Sequence, residues 1–257
     1  MAEITIEEFS SLYKASAEDA GLTAEFVSDA VVERLYLIMD RLIENGKRLN
    51  LTAILEPEGI VMKHFVDSLI PLKLILELGI VPKRAADIGT GAGYPLLPFA
   101  AVLKDVSPGT ELFGIDSTAK KISHIIDTAE YAKLTNIKAI SARAEEIAST
   151  ANGKKGGYRQ AFDLVTARAV SSLPALCELT APLLKIGGHF AALKTPDDAE
   201  IAQGDRAAAQ LGLQNIGRTD YKLPNGDSRC LVIYKKNAAT PDKYPRRYAD
   251  ITKHPLG

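Results

Sequence analysis

The chain has 257 residues, 46% hydrophobic and 25% charged, with a formal net charge of −1. That profile fits an ordinary soluble globular protein with one full-sized core and room for a subdomain, and it argues against a strongly basic nucleic-acid binder. No apolar run escapes charge or proline for long enough to span a bilayer. The acidic start MAEITIEEF lacks the basic-then-apolar order of a secretory signal, so a cytoplasmic protein is expected. Cys177 and Cys230 lie in apolar runs and read as small core side chains in a reducing compartment, not as a disulfide or metal ligands. The charge is unevenly spread. Residues 1–33 carry eight acids and one lysine, whereas residues 221–257 carry eight Lys/Arg against three Asp, which points to an anionic partner near the C-terminus.

Residues 1–79 read as a helical subdomain. Val27, Val31, Leu35, Ile38 and Leu42 recur at three- and four-residue steps and share one helical face, with Asn45-Gly46 expected to stop that helix. A second pattern, Ile60, Val61, Phe65, Leu69 and Leu72, follows Pro57, which suits a first helical turn.

From about residue 80 to 237 the pattern changes. The short apolar runs RAADIG (84–89), ELFGID (111–116), KAISAR (138–143), DLVTAR (163–168) and HFAALK (189–194) alternate with helix-length segments, including ones near 172–184 and 197–211. Such alternation predicts a parallel sheet covered on both faces. NIGRTDYKL and RCLVIYKK flank Pro224-Asn225-Gly226-Asp227 and read as a closing antiparallel hairpin. Residues 149–160 read as a mobile loop and residues 238–257 as a basic tail. The predicted architecture is therefore a Rossmann-like α/β fold of the class I S-adenosylmethionine-dependent methyltransferase type.

The chemistry concentrates at Asp87-Ile88-Gly89-Thr90-Gly91-Ala92-Gly93-Tyr94, where a strand runs into three alternate glycines. Glycine permits a sharp turn and lets a ligand approach the backbone. Asp116 ends the next strand, 27 residues after Gly89, where a carboxylate can accept both ribose hydroxyls of an adenosine. A pyrophosphate-binding GxGxxG turn would have glycine where this chain has Tyr94, so a cofactor without phosphates fits better. Asp87 would orient the turn or meet the cofactor's positive end. His64, Asp67 and Ser68 fall within one helical turn and read as a buried polar cluster ahead of a catalytic one, and His124 reads as a surface residue. Lys194, Arg246, Arg247 and Lys253 are the candidates for contact with the phosphates of an anionic partner, and become RNA-binding candidates on the family resemblance that follows.

The segments NLTAI (50–54), KHFVDSL (63–69), ADIGTGAGYP (86–95), IDSTAKK (115–121), SARAEE (141–146), TARAVSSL (166–173), GGHFAALK (187–194) and YPRRY (244–248) resemble the RsmG (GidB) family of ribosomal RNA methyltransferases. The resemblance implies an enzyme that uses S-adenosyl-L-methionine to methylate nitrogen 7 of a guanosine in 16S rRNA of the small ribosomal subunit. It implies cofactor contacts at Gly89 and Tyr94, beside Gly91 and Gly93, which the turn itself makes candidates; it also implies adenine contacts at Ala144 and Glu145 and a site position for Arg168, which would orient the base through the 6-oxo oxygen of guanine. The chain departs from the family at Leu96, which replaces a glycine where a helix begins near the cofactor.

Nitrogen 7 carries a lone pair and no hydrogen, so the reaction needs alignment more than a general base. Signatures of other methylations are missing: no Asn-Pro-Pro-aromatic run follows the fourth strand, no Pro-Cys pair offers a nucleophile, and no metal-ligand spacing occurs. A monomer without metal is expected. Two other readings share the fold: a small-molecule methyltransferase, and a non-catalytic RNA-binding or ribosome-assembly protein, which Leu96 keeps open.

Overall fold

A computed structural model of the chain describes residues 4–149, 157–168 and 171–257, with the side chain of Lys47 outside the description. The predicted loop at 149–160 therefore falls largely outside the described residues. α1 (Ile6–Asp19) opens with a capping box in which Thr5 and Glu8 satisfy each other's backbone N–H. α2 (Asp29–Leu49) buries Val31, Leu35, Ile38 and Leu42 completely.

The helix does not stop at Asn45-Gly46. It continues to Leu49 and ends on Asn50 in the left-handed conformation. Gly46 instead serves close packing, since a Cβ there would overlap Leu55 Cδ2. Pro57 occupies the first turn of α3 (Pro57–Ile60), as its sequence context predicts. A π-helical stretch, Val61–Val66, then leads into α4 (Asp67–Glu77). Ile60, Val61, Phe65 and Leu69 are fully buried along this run.

Among the described residues, seven strands form one sheet: β1 (Arg84–Ile88), β2 (Glu111–Asp116), β3 (Ile137–Ser141), β4 (Phe162–Arg168), β5 (Leu184–Lys194), β6 (Leu213–Lys222) and β7 (Ser228–Lys236). Their order is β3-β2-β1-β4-β5-β7-β6. β1 to β5 run parallel, and β7 pairs antiparallel with both β5 and β6. The hairpin turns on Gly226, at φ +89°. The strand order reverses between β1 and β4, with β2 and β3 on one side and β5 on the other, which opens a crevice at their carboxyl ends.

Two cores lie on the two faces of the sheet. One joins the N-terminal helices to α5 (Leu96–Val106) and α6 (Ala119–Tyr131). The other collects α7 (Ala144–Ala148), α8 (Leu173–Thr180), α9 (Asp198–Gln210) and α10 (Tyr248–Lys253). Because α2 packs on α6, His124 is 2% exposed and not a surface residue. The pattern of α6 alone cannot reveal that a distant helix covers its outer side.

Candidate functional site

The glycine turn leaves β1 with Gly89, Gly91 and Gly93 all at positive φ, 66°, 60° and 97°. A side chain at any of them would strain the backbone. The turn is held from the neighbouring strand: the N–H groups of Gly89 and Thr90 donate to Ile115 O. Asp116 at the end of β2 accepts from Gly91 N–H at 3.1 Å through one oxygen and from Thr118 N–H at 2.8 Å through the other. One carboxylate thus ties two βα turns together while its remaining lone pairs face a cavity.

That cavity, about 360 Å³, is lined along the strand ends by Gly89, Asp116, Ala144, Glu145 and Arg168. Asp87, Gly91, Gly93 and Tyr94 are not among its lining residues. Asp87 is 2% exposed; Thr166 Oγ1 donates to its Oδ1 at 2.9 Å, and its Oδ2 has no aligned partner. Burial pushes its carboxyl up to about 6. A carboxylate facing small backbone turns, with a second buried and underpartnered carboxylate beneath, suits a nucleoside bearing a cationic tail. Residues that sequence reasoning missed here are Ser117, Thr118, Lys121, Leu179 and Tyr248. Tyr248 lies in the quoted YPRRY segment, where its neighbouring arginines drew the attention.

Leu96 does not plug the cavity. It is 1% exposed, absent from the lining, and sits over Gly114, where a Cβ would lie 2.5 Å from Leu96 Cδ2. The missing side chain on β2 makes room for the extra one on α5.

A second cavity, about 400 Å³, adjoins the first across Arg168, which lines both. Its other walls include His64, Asp67, Leu193, Lys194, Tyr221 and Arg229. Arg168 Nη1 donates to Lys63 O at 3.1 Å and lies 3.5 Å from Asp67 Oδ2. Asp67 Oδ1 accepts from Arg229 Nε at 3.0 Å, so one carboxylate holds two guanidinium groups. His64 stacks on Tyr94 with ring centroids 4.3 Å apart, and its Nε2 meets Thr52 Oγ1 at 3.2 Å. Burial, then the charge of Arg168, lowers the His64 pKa to about 4, so the ring is neutral near pH 7. The polar cluster read as structural from sequence therefore contributes two walls of a cavity. The π-helical turn carrying His64 is the local irregularity that accompanies them.

The RNA candidates separate. The Arg246 guanidinium grips Glu178, with Nε and Nη2 at 2.9 and 2.6 Å from the two oxygens, which supplies the cation that a fully buried carboxylate needs. Lys194 lines the second cavity but is bound to Glu200 Oε1 at 2.7 Å. Arg247 and Lys253 are exposed. Among the described residues no cluster of His, Cys, Asp or Glu is placed to hold a metal ion, and no helix is long and apolar enough to cross a membrane.

The sheet order and the carboxylate at the end of β2 define a class I, S-adenosylmethionine-dependent methyltransferase fold. A solved Klebsiella pneumoniae structure, assigned as an O-methyltransferase, has the same fold, with a TM-score of 0.51 and 16% identity over 78% of this chain and 90% of its own. Residues 32–221 match the GidB family model, rRNA small subunit methyltransferase G, and the chain belongs to that family. It is 39% identical to ribosomal RNA small subunit methyltransferase G of Desulfitobacterium hafniense over 88% of this chain and 89% of that protein. The Leuconostoc citreum protein of the same name is 34% identical over 98% and 100% of the two chains. The cofactor of this chain is S-adenosyl-L-methionine.

Proposed function

We propose that this chain methylates nitrogen 7 of a guanosine in small-subunit ribosomal RNA, acting in the cytoplasm as a monomer. Family membership supports the RNA and the reaction. The observation that carries the site assignment is Arg168, the side chain common to the two adjoining cavities. The cavity at Gly89 and Asp116 takes the cofactor, and the one at His64, Asp67 and Arg229 takes the target base.

When bound, S-adenosyl-L-methionine supplies an electrophilic methyl group on a sulfonium sulfur. Nitrogen 7 attacks with its own lone pair, so no residue has to remove a proton. Alignment then carries the rate, and pre-organisation of two reactants can remove roughly 7–11 kcal/mol of barrier. Asp116 would hold the ribose hydroxyls, while Asp87, buried beneath the turn and bonded to Thr166, would act through the position of the turn and not by contact. Arg168, clamped by Lys63 O and Asp67, presents N–H donors to the 6-oxo oxygen of guanine. The purine becomes cationic as the bond forms. Asp67 offsets the charges of Arg168 and Arg229, and a neutral His64 adds none. Exposed Arg247 and Lys253 remain the tail's candidates for phosphate contact, each steepening the salt dependence by about 0.7–0.9. With Leu96 seated over Gly114, the feature that favoured a non-catalytic reading no longer does so.

The test is methyl transfer from labelled cofactor into ribosomal subunits and into naked 16S rRNA, both from cells lacking the protein, followed by mapping of the product. Incorporation at one guanine nitrogen 7 is expected. Incorporation at another base or atom, or none in either substrate, would defeat the proposal.

A further inference from the structure

The segment after β7 is fastened by buried charge. Arg159 donates to Ala148 O at 3.1 Å, Thr240 O at 2.7 Å and Tyr244 O at 2.8 Å, so one guanidinium joins the end of α7 to residues 240–244. Two residues later Arg246 engages the buried carboxylate of Glu178 through its side chain and its backbone N–H. Ile251 of α10 is fully buried in the core beneath the sheet. Between these anchors lies Tyr248, the first residue of α10, half-buried and lining the cofactor cavity beside Leu179 and Glu145. Leu179 follows Glu178 directly, so a single turn of α8 supplies both an anchor for the tail and a wall of the cavity.

We propose that the C-terminal segment completes the cofactor site, with Tyr248 binding the purine of the adenosyl group and the Arg246–Glu178 pair positioning it. This rests on the reading of that cavity as the S-adenosyl-L-methionine site. The chemistry of the walls selects a flat heterocycle. Tyr248 and Leu179 offer aromatic and aliphatic surface, and the small Ala142 and Ala144 leave room for a ring. Glu145 offers an acceptor for an amino edge, and Asp116 takes hydroxyls at the sugar. Stacking of a base on an aromatic side chain is strong enough that its removal weakens binding by roughly ten-fold. The tail is therefore a part of the binding site as well as a basic surface.

Titration calorimetry of the full chain with S-adenosylhomocysteine and with adenosine tests this. Tyr248→Ala is expected to weaken both ligands by a similar factor of about ten, and Tyr248→Phe, which keeps the ring, to restore most of that loss. Tyr248→Leu, which keeps apolar bulk without a ring, should resemble the alanine variant while its melting temperature stays close to that of the parent. Arg246→Lys leaves every cavity-lining side chain in place, so it should raise KM for the cofactor more than it lowers kcat. Unaltered affinity for both ligands in Tyr248→Ala and Tyr248→Leu would overturn the proposal and leave the cofactor reading intact. A parent chain that binds neither ligand would overturn both.

Discussion

The two cavities that meet at Arg168 are assembled in opposite ways. The proposed cofactor cavity takes its frame from successive turns of one repeating unit: Gly89 after β1, Asp116 at the end of β2, and Ala144 with Glu145 after β3. The second is gathered from four distant parts of the chain, namely residues 54–67, Arg168, residues 193–195 and the hairpin residues Tyr221 and Arg229. Local geometry suffices for that frame, because parallel strands align their carboxyl ends along one edge of the sheet, and Leu179 and Tyr248 close it from farther along the chain. The second exists only because the N-terminal helices pack against the same edge. The Gly89–Asp116 frame can therefore be recognised from spacing, whereas the second cavity depends on which segments the core brings together.

The largest effect is expected at the cofactor cavity. Asp116→Ala removes an acceptor from two backbone N–H groups and from the ribose, a loss of about 4 kcal/mol, or near a thousand-fold in affinity. Calorimetry with S-adenosylhomocysteine reads it, and binding within ten-fold of the parent would remove Asp116 from its proposed role.

Acid acts with opposite sign on His64, which lines the second cavity, and on Asp87, which is buried under the glycine turn. The His64 pKa is lowered from 6.5 to about 4, so its contribution is complete above pH 6.5 and disappears as the pH falls through 4. The Asp87 pKa is raised from 3.8 to about 6, so its contribution is complete below pH 3.8 and is lost as the pH rises through 6. Each amounts to at most about 3–3.5 kcal/mol at 1.36 kcal/mol per unit. Buried His124, also lowered to about 4, adds to the acid sensitivity. Urea unfolding at pH 7 and pH 4.5 should show His64→Gln losing less stability on acidification than the parent, and Asp87→Asn losing more. Parallel pH profiles for all three proteins would contradict these assignments.

Arg168→Ala should leave a folded protein whose kcat/KM is about a hundred-fold lower, corresponding to about 2.7 kcal/mol. Turnover at the parent rate would remove Arg168 from the mechanism. The smallest effect sharpens the division between the cavities most. Asp67→Asn leaves the cofactor cavity's lining intact but uncouples Arg168 and Arg229, so kcat should fall about ten-fold while S-adenosylhomocysteine affinity stays within two-fold. An equal loss in both quantities would mean that the two cavities do not divide the work in this way.

Hydrophobic periodicity and turn chemistry determined the strand–helix alternation, the hairpin at Gly226, and the cofactor turn with Asp116. All of these depend on residues near one another in the chain, where a two- or 3.6-residue repeat and glycine's freedom act directly. Contacts between distant segments escaped that reasoning. The burial of His124 under α2, the seat of Leu96 above Gly114, the pairing of Arg246 with Glu178, and the gathering of Asp67, Arg168 and Arg229 needed the packed structure. A carboxylate has the same letter whether it meets water or two guanidinium groups, and only the fold decides which surrounds it.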